Sequence, residues 1–260
     1  MVLVILCLVA AACVPITPTP VAPVDTQAPP TAVPPTAPPP TATAVPPTAD
    51  PYGISAAITL DPAITEDADS LKICALLYSG LVSLGVGGLE PALAESWVIS
   101  DDQLDYIFKL RSDAVFNDGT LITADEVVAN FNRWLDPQDP LRGDGEYAAW
   151  ERTFGGFLGE KDADGRAKSL VDGVQQVDTL TVLIHLTRPE PDLLTYLADP
   201  AFAILSPDAL AAGAYGGQGS EAVSSGAYTV HAWTQGTLQL WPNPTYWGTK
   251  PTEELTFNLY

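Results

Sequence analysis

Residues 89–137 carry the pattern that most restricts how this chain can fold, because a strand, a tight turn and a capped helix follow one another there. Apolar and charged side chains alternate over residues 104–111, which is typical of a strand with one buried face. The tripeptide Asn117–Gly119 favours a turn. Thr123 and Glu126 then form a capping-box pattern, after which apolar residues recur on one helical face. The segment therefore predicts the strand–turn–helix order of an α/β protein.

The order and spacing of these elements resemble the signature segment of the family 5 extracellular solute-binding proteins, the dipeptide-, oligopeptide- and nickel-binding receptors of ABC importers. The family pattern runs roughly P-x-LAESW, F-x-LR and F-x-DG-x-x-x-TA-x-DV. This chain matches it at Pro91, Leu93 to Trp97, Phe108, Leu110, Arg111, Phe116, Asp118, Gly119, Thr123, Ala124 and Val127. Further segments similar to the family begin at Leu60, Val174 and Ser224, so the resemblance covers residues 54–260.

The resemblance implies an α/β fold of the periplasmic-binding-protein-like kind (type II, family 5 cluster), with mixed β-sheets. We expect the first lobe of such a receptor. Residues 54–82 and 173–260 would form its main subdomain, and residues 83–172 would form a second subdomain inserted between them. Because members of the family are longer, we also expect the second lobe to be absent and the domain to be truncated at its C-terminus.

Residues 1–13 form an apolar run that ends in three alanines and Cys13. The run is too short to span a bilayer, which takes about 20 residues, but it fits the apolar region of a secretion signal. The Ala-Ala-Ala-Cys ending resembles a bacterial lipobox, so we expect a lipoprotein signal peptide and a lipid on Cys13. Ordinary cleavage, which would yield a soluble secreted protein, is the alternative, because the run lacks the usual basic residue near its start.

Residues 14–53 are rich in proline and threonine, and the sequence PPTA occurs in them four times. Such a segment cannot build a hydrophobic core, so we expect it to be disordered and extended, largely as polyproline II. Its natural use would be a tether between the lipid anchor and the folded domain.

The formal net charge of −21 at pH 7 disfavours nucleic acid and anionic membrane surfaces as partners. No metal-ligand spacing, phosphate-binding loop or dinucleotide motif occurs, so we predict neither a metal nor a cofactor. An enzyme is the weaker alternative. Asp118, Asp125 and Glu126 resemble a glycosidase set of carboxylates, but turn and helix-cap roles account for all three.

The resemblance also implies ligand contacts in three places. In the oligopeptide receptors, the segment after the first capped helix faces the ligand cleft, a loop near the start of the domain pairs with the ligand backbone, and the late hairpin borders the cleft. The corresponding residues here are Thr65, Glu66, Asp67, Tyr147, Trp150, Ser224 and Ser225.

The function that follows from the resemblance is a monomeric extracytoplasmic receptor. It would close two lobes around a di- or oligopeptide and deliver the peptide to an ABC permease and its ATPase. The same fold binding a nickel chelate, haem, a sugar or an opine stays open, as does a sensory receptor without transport. Because one lobe cannot close, we expect this chain alone to bind ligand weakly or not at all.

Overall fold

The structure is a computed structural model that describes residues 53–260. The predicted signal peptide, the lipid-attachment residue Cys13 and nearly all of the predicted tether lie outside the described residues.

The described chain alternates short helices with antiparallel strands. In chain order the elements are a 3₁₀ turn (Pro62–Ile64), α1 (Ala68–Leu77), β1 (Val82–Gly85), β2 (Gly88–Pro91), β3 (Ala94–Ile99), β4 (Asp105–Leu110), α2 (Ala124–Leu135), α3 (Ala148–Phe154), β5 (Val171–Asp178), β6 (Thr181–Leu186), α4 (Leu193–Leu197), a second 3₁₀ turn (Pro200–Phe202), α5 (Pro207–Ala211), β7 (Tyr228–Trp233), β8 (Thr237–Pro242) and β9 (Leu255–Asn258).

Three sheets organise these strands. Strands β1 and β2 form a hairpin, strands β3-β4-β6-β5 form a four-stranded sheet, and strands β7-β8-β9 form a three-stranded sheet. The neighbouring strands run antiparallel, and a parallel bridge joins Ile54 to Leu259. An α/β fold with several sheets is thereby confirmed. The division into subdomains at residues 82–83 and 172–173 stays a prediction.

The strand predicted from residues 104–111 is β4, and its alternating pattern has the expected cause. Tyr106, Phe108 and Leu110 are buried, whereas Ile107 and Lys109 face solvent. Because successive side chains of a strand point to opposite faces, one face of β4 packs against the core and the other is exposed to solvent.

The capping box predicted for α2 is also present. The Glu126 carboxylate accepts a hydrogen bond from the Thr123 backbone N–H at 2.7 Å, and the Thr123 hydroxyl accepts one from the backbone N–H of Asp125. These bonds satisfy donors that the first turn of a helix otherwise leaves unpaired. The apolar face of α2 then packs against β5 and β6.

Two clusters of buried side chains form the interior. One joins the four-stranded sheet to α2, α3 and α4. The other lies between α1, the three-stranded sheet and the segment around α5. In the described part of the chain, no helix has the length and apolarity needed to cross a membrane.

Candidate ligand-binding site

The loop Thr65–Asp67 lies between two side-chain caps. The Asp61 carboxylate accepts a hydrogen bond from the Ala63 N–H at 3.2 Å and begins the first 3₁₀ turn. The Asp67 carboxylate accepts one from the Ser70 N–H at 2.7 Å and begins α1. Thr65, between them, has extended backbone angles (φ −125°, ψ 147°). Capping on both sides therefore holds a short extended stretch at the surface, a geometry that suits backbone pairing with a peptide.

A buried ion pair supports this loop from below. The guanidinium of Arg133, on α2, donates to the carboxylate of Asp61, and their side chains are only 2% and 7% exposed. The Nε of Arg133 also donates to the carbonyl of Leu141 at 3.0 Å. Separating two buried, oppositely charged side chains would be strongly destabilising. The pair therefore holds the 3₁₀ turn, and with it the loop, against α2.

Tyr147 lies in the interior next to this ion pair and is 2% exposed. The centroid of its ring is 5.3 Å from the guanidinium of Arg133 and 4.0 Å from that of Arg142. Its hydroxyl donates to the Arg142 carbonyl at 2.7 Å. These contacts connect the end of α2 to the start of α3, so Tyr147 stiffens the surface that the loop rests on.

Burial raises the pKa of Tyr147 to about 12; the positive charge of Arg133 opposes this shift and the negative charge of Asp61 adds to it. In the unfolded chain, the pKa of a tyrosine is about 10. The folded state therefore holds the phenol proton more tightly, and its stability falls as pH rises from about 10 through 12.

We expect the tyrosinate absorbance of the wild type minus that of Tyr147→Phe to rise with a midpoint near pH 12. The variant should also lose less stability than the wild type over the same interval, because it has no phenol to ionise at position 147. A difference spectrum with a midpoint near the ordinary value would contradict the burial of this side chain.

Trp150 lies deeper in the same core and is 1% exposed. Its indole N–H donates to the Gly156 carbonyl at 3.1 Å, and its ring centroid is 4.2 Å from that of Phe154 and 6.0 Å from that of Trp134. In this structure Tyr147 and Trp150 are packed as core residues. Their contact with a ligand stays a prediction.

The loop and α3, which the sequence predicted as separate ligand-contacting segments, are next to each other. Glu66 and Arg152 form an ion pair between their exposed side chains. Ile64 fills the space beside Gly145, where a Cβ would lie 2.3 Å from the Ile64 Cγ2. The structure thus places the loop beside the exposed side of α3, which carries Glu151 and Arg152, although Tyr147 and Trp150 themselves are buried. We call the loop and this side of α3 the loop–α3 surface.

The predicted third segment, Ser224–Ser225, has other neighbours. The Ser224 N–H donates to the Asn117 side chain at 2.9 Å, and the Ser225 hydroxyl accepts a hydrogen bond from the Ser79 N–H at 3.0 Å. Both serines are fully buried. Within residues 53–260, none of their hydrogen bonds reaches the loop–α3 surface.

Gly226, which follows the serines, explains why this segment lies so close to α1. Its N–H donates to the Leu77 carbonyl at 2.7 Å. A Cβ at Gly226 would lie 2.6 Å from the carbonyl carbon of Leu77, so no side chain fits there. The sequence patterns did not reveal the roles of Gly226, Asp61 and Arg133. A lone charged residue among the apolar residues Phe131 and Trp134 was the available signal for Arg133.

The described residues contain no group of three or more His, Cys, Asp and Glu side chains placed to hold a metal ion. His185 instead contacts Asp105 across the sheet at 2.6 Å, and the exposed His231 stacks on Trp241 with ring centroids 3.3 Å apart.

A family model described as "Bacterial extracellular solute-binding proteins, family 5 Middle" matches residues 88–260, well over half of the chain. The chain belongs to this family. The resemblance inferred from the signature segment is thereby confirmed.

This family 5 chain is 31% identical over 204 residues to the probable D,D-dipeptide-binding periplasmic protein DdpA of Escherichia coli K12, a match that covers 74% of this chain and 35% of DdpA. It is 34% identical over 179 residues to the glutathione-binding protein GsiB of Escherichia coli O1:K1, covering 68% of this chain and 30% of GsiB. The chain therefore spans about a third of the length of these relatives.

The fold of this family 5 chain is also similar to part of a solved peptide complex. The periplasmic binding protein DppA from Helicobacter pylori, in complex with the peptide STSA, superposes with a TM-score of 0.65 at 25% sequence identity. The match covers 78% of this chain and 40% of DppA.

Proposed function

We propose that this chain is the ligand-capturing part of an extracytoplasmic receptor that binds small peptides and delivers them to an ABC permease and its ATPase. The observation that carries the proposal is the extended loop Thr65–Asp67, which is capped on both sides and rests on a buried ion pair. An extended, rigidly supported loop can hydrogen-bond to a peptide backbone while tolerating varied side chains.

Three of the relatives support a peptide as the ligand, whereas other proteins of similar fold were solved with agropinic acid or Fe(III)-EDTA. The ligands of these three relatives are a D,D-dipeptide, glutathione and the peptide STSA. We propose Thr65, Glu66 and Asp67 as direct ligand contacts. Tyr147, Trp150, Ser224 and Ser225 would support the surface around the ligand, since their side chains are buried in this structure.

In the cell, we propose that the receptor is a monomer attached to the membrane through a lipid on Cys13, with residues 14–53 as its tether. A second lobe would close over the loop–α3 surface and exclude water from the bound peptide. The bound state would then be recognised by the permease.

Uptake of labelled di- to pentapeptides by the producing cells tests this proposal. Deleting the gene should abolish uptake, and the wild-type gene should restore it. A gene carrying Glu66→Gln with Asp67→Ser should restore it less well, because two ligand-facing charges are lost while the introduced serine hydroxyl still caps α1. We expect up to about fivefold lower affinity per exposed charge.

The matched control removes the same charge from two positions outside the loop, through Glu160→Gln with Asp164→Asn, and should restore uptake fully. If both double variants behave alike, the loop is not the ligand contact. If deletion leaves peptide uptake intact although the purified protein binds peptides, the receptor signals occupancy and the import proposal is wrong.

A further inference from the structure

A cavity of about 560 Å³ lies at the far end of α1 from the loop Thr65–Asp67, between that helix, the β1–β2 hairpin and α4. This volume is within the range of about 300–1,000 Å³ that small-molecule sites occupy. Small or apolar residues form much of its wall, among them Ala75, Val82, Ala92 and Pro200.

Charge is nearly absent from this cavity. Asp199 is the only charged residue among the described residues that line it, and its carboxylate already accepts a hydrogen bond from the Ala201 N–H at 2.9 Å. Burial also raises the pKa of the lining Tyr78 well above its ordinary value, so this phenol stays neutral. The wall therefore suits an uncharged group and disfavours an anion.

Two residues of the cavity wall also carry buried polar atoms without a hydrogen-bond partner. Five buried side-chain polar atoms in the described residues lack a hydrogen-bond partner. Two of them, the Tyr78 hydroxyl and the Trp247 indole N–H, belong to residues that line the cavity. Tyr78 is only 4% exposed. Both atoms are enclosed by protein, so they contribute no hydrogen-bonding group to the cavity wall.

Aromatic rings complete the wall. The ring centroids of Tyr246 and Trp247 are 5.0 Å apart, and the guanidinium of Arg111 lies 4.3 Å from the centroid of Trp247. Contact with Arg111 holds the indole in place, so it offers a rigid surface on which an apolar or aromatic group can pack.

Helix α1 connects this cavity to the loop–α3 surface. Ala68, Lys72 and Ala75 are exposed at positions i, i+4 and i+7, so they share one side of the helix. Ala68 follows the loop, and Ala75 lines the cavity. A helix of 10 residues is about 15 Å long, which corresponds to about four or five residues of an extended peptide.

We propose that this cavity binds an uncharged apolar or aromatic side chain of the captured peptide, about four residues along from the position that pairs with the loop. The proposal rests on the proposed function, because it identifies the peptides that the same site prefers. Tetra- and pentapeptides with one such side chain are thus the favoured ligands.

Calorimetry on the full-length gene product tests this with pentaalanine and with the five pentapeptides that carry one phenylalanine. We expect phenylalanine at one position near an end to tighten binding by about tenfold to a hundredfold, since a buried ring leaves water. In Ala75→Phe, whose new ring enters the cavity from its exposed rim, this preference should disappear. The matched control, Ala211→Phe on the exposed surface of α5, should keep it.

Free indole and p-cresol provide a readout that needs no peptide. Both should bind the wild type and Ala211→Phe, and neither should bind Ala75→Phe. If these probes do not bind the wild type, the cavity is not a site for apolar groups, even where peptides bind. If the probes bind but no peptide does, the proposed function fails, and the side-chain assignment fails with it. A phenylalanine preference that survives Ala75→Phe also overturns the proposal.

Discussion

Replacing Arg133 by methionine is expected to lower the free energy of unfolding by about 3–5 kcal/mol. The substitution leaves the Asp61 carboxylate buried without a counter-charge, since the two side chains are 7% and 2% exposed. It also removes the hydrogen bond to the Leu141 carbonyl and the contact with the ring of Tyr147. We expect the lost stability to affect mainly the first 3₁₀ turn, which precedes the candidate ligand loop.

Urea unfolding followed by circular dichroism measures this change. Arg166→Met is the matched control, because Arg166 pairs with Asp164 at the surface, where their side chains are 76% and 68% exposed. An exposed pair is worth at most about 1 kcal/mol. The double variant Asp61→Asn with Arg133→Met should recover part of the lost free energy of unfolding, because no unpaired charge remains buried. Equal effects of Arg133→Met and Arg166→Met would contradict the role of the buried pair.

Replacing Trp150 by alanine is the second change with a large expected effect, a loss of about 3–5 kcal/mol in the free energy of unfolding. Its indole is 1% exposed and packs among Phe131, Trp134, Phe154 and Phe202. Alanine would leave a cavity in the middle of this aromatic cluster. Trp150→Phe keeps most of the packing and loses the hydrogen bond to the Gly156 carbonyl, so we expect a loss of about 1 kcal/mol.

Trp241→Ala is the matched control for the loss of an indole, because Trp241 is 42% exposed on the outer face of β8. A surface substitution of this kind usually changes stability by about 0.5 kcal/mol or less. If Trp150→Ala and Trp241→Ala were equally stable, the core position of Trp150 would be wrong. A stable Trp150→Phe variant with much weaker peptide binding would instead make Trp150 a ligand contact.

Local patterns predicted the elements whose structure depends on neighbouring residues. The alternation around Phe108 gave a strand, and Thr123 with Glu126 gave a capped helix, because capping and amphipathicity act within a few residues. The family signature extended this to the fold, since its spacing reflects the same strand, turn and helix.

Contacts between distant residues could not be predicted in the same way. Asp61 and Arg133 are 72 positions apart, and the sequence around either residue does not predict their contact. Tyr147 and Trp150 lie in a segment without clear periodicity, so their burial depends on how α3 packs against α2. The close approach of Gly226 to Leu77 likewise depends on packing between elements, which a single glycine in the sequence does not reveal.

Calorimetric titration of the full-length gene product with di- to pentapeptides measures peptide capture directly, with nickel-histidine, haem and oligosaccharides as comparison solutes. We predict saturable binding of peptides at one site, and a stabilisation of about 2.7 kcal/mol at a hundredfold excess over Kd. A folded protein that binds none of the peptides, or that binds only one of the comparison solutes, would contradict the assignment of this chain to a peptide receptor.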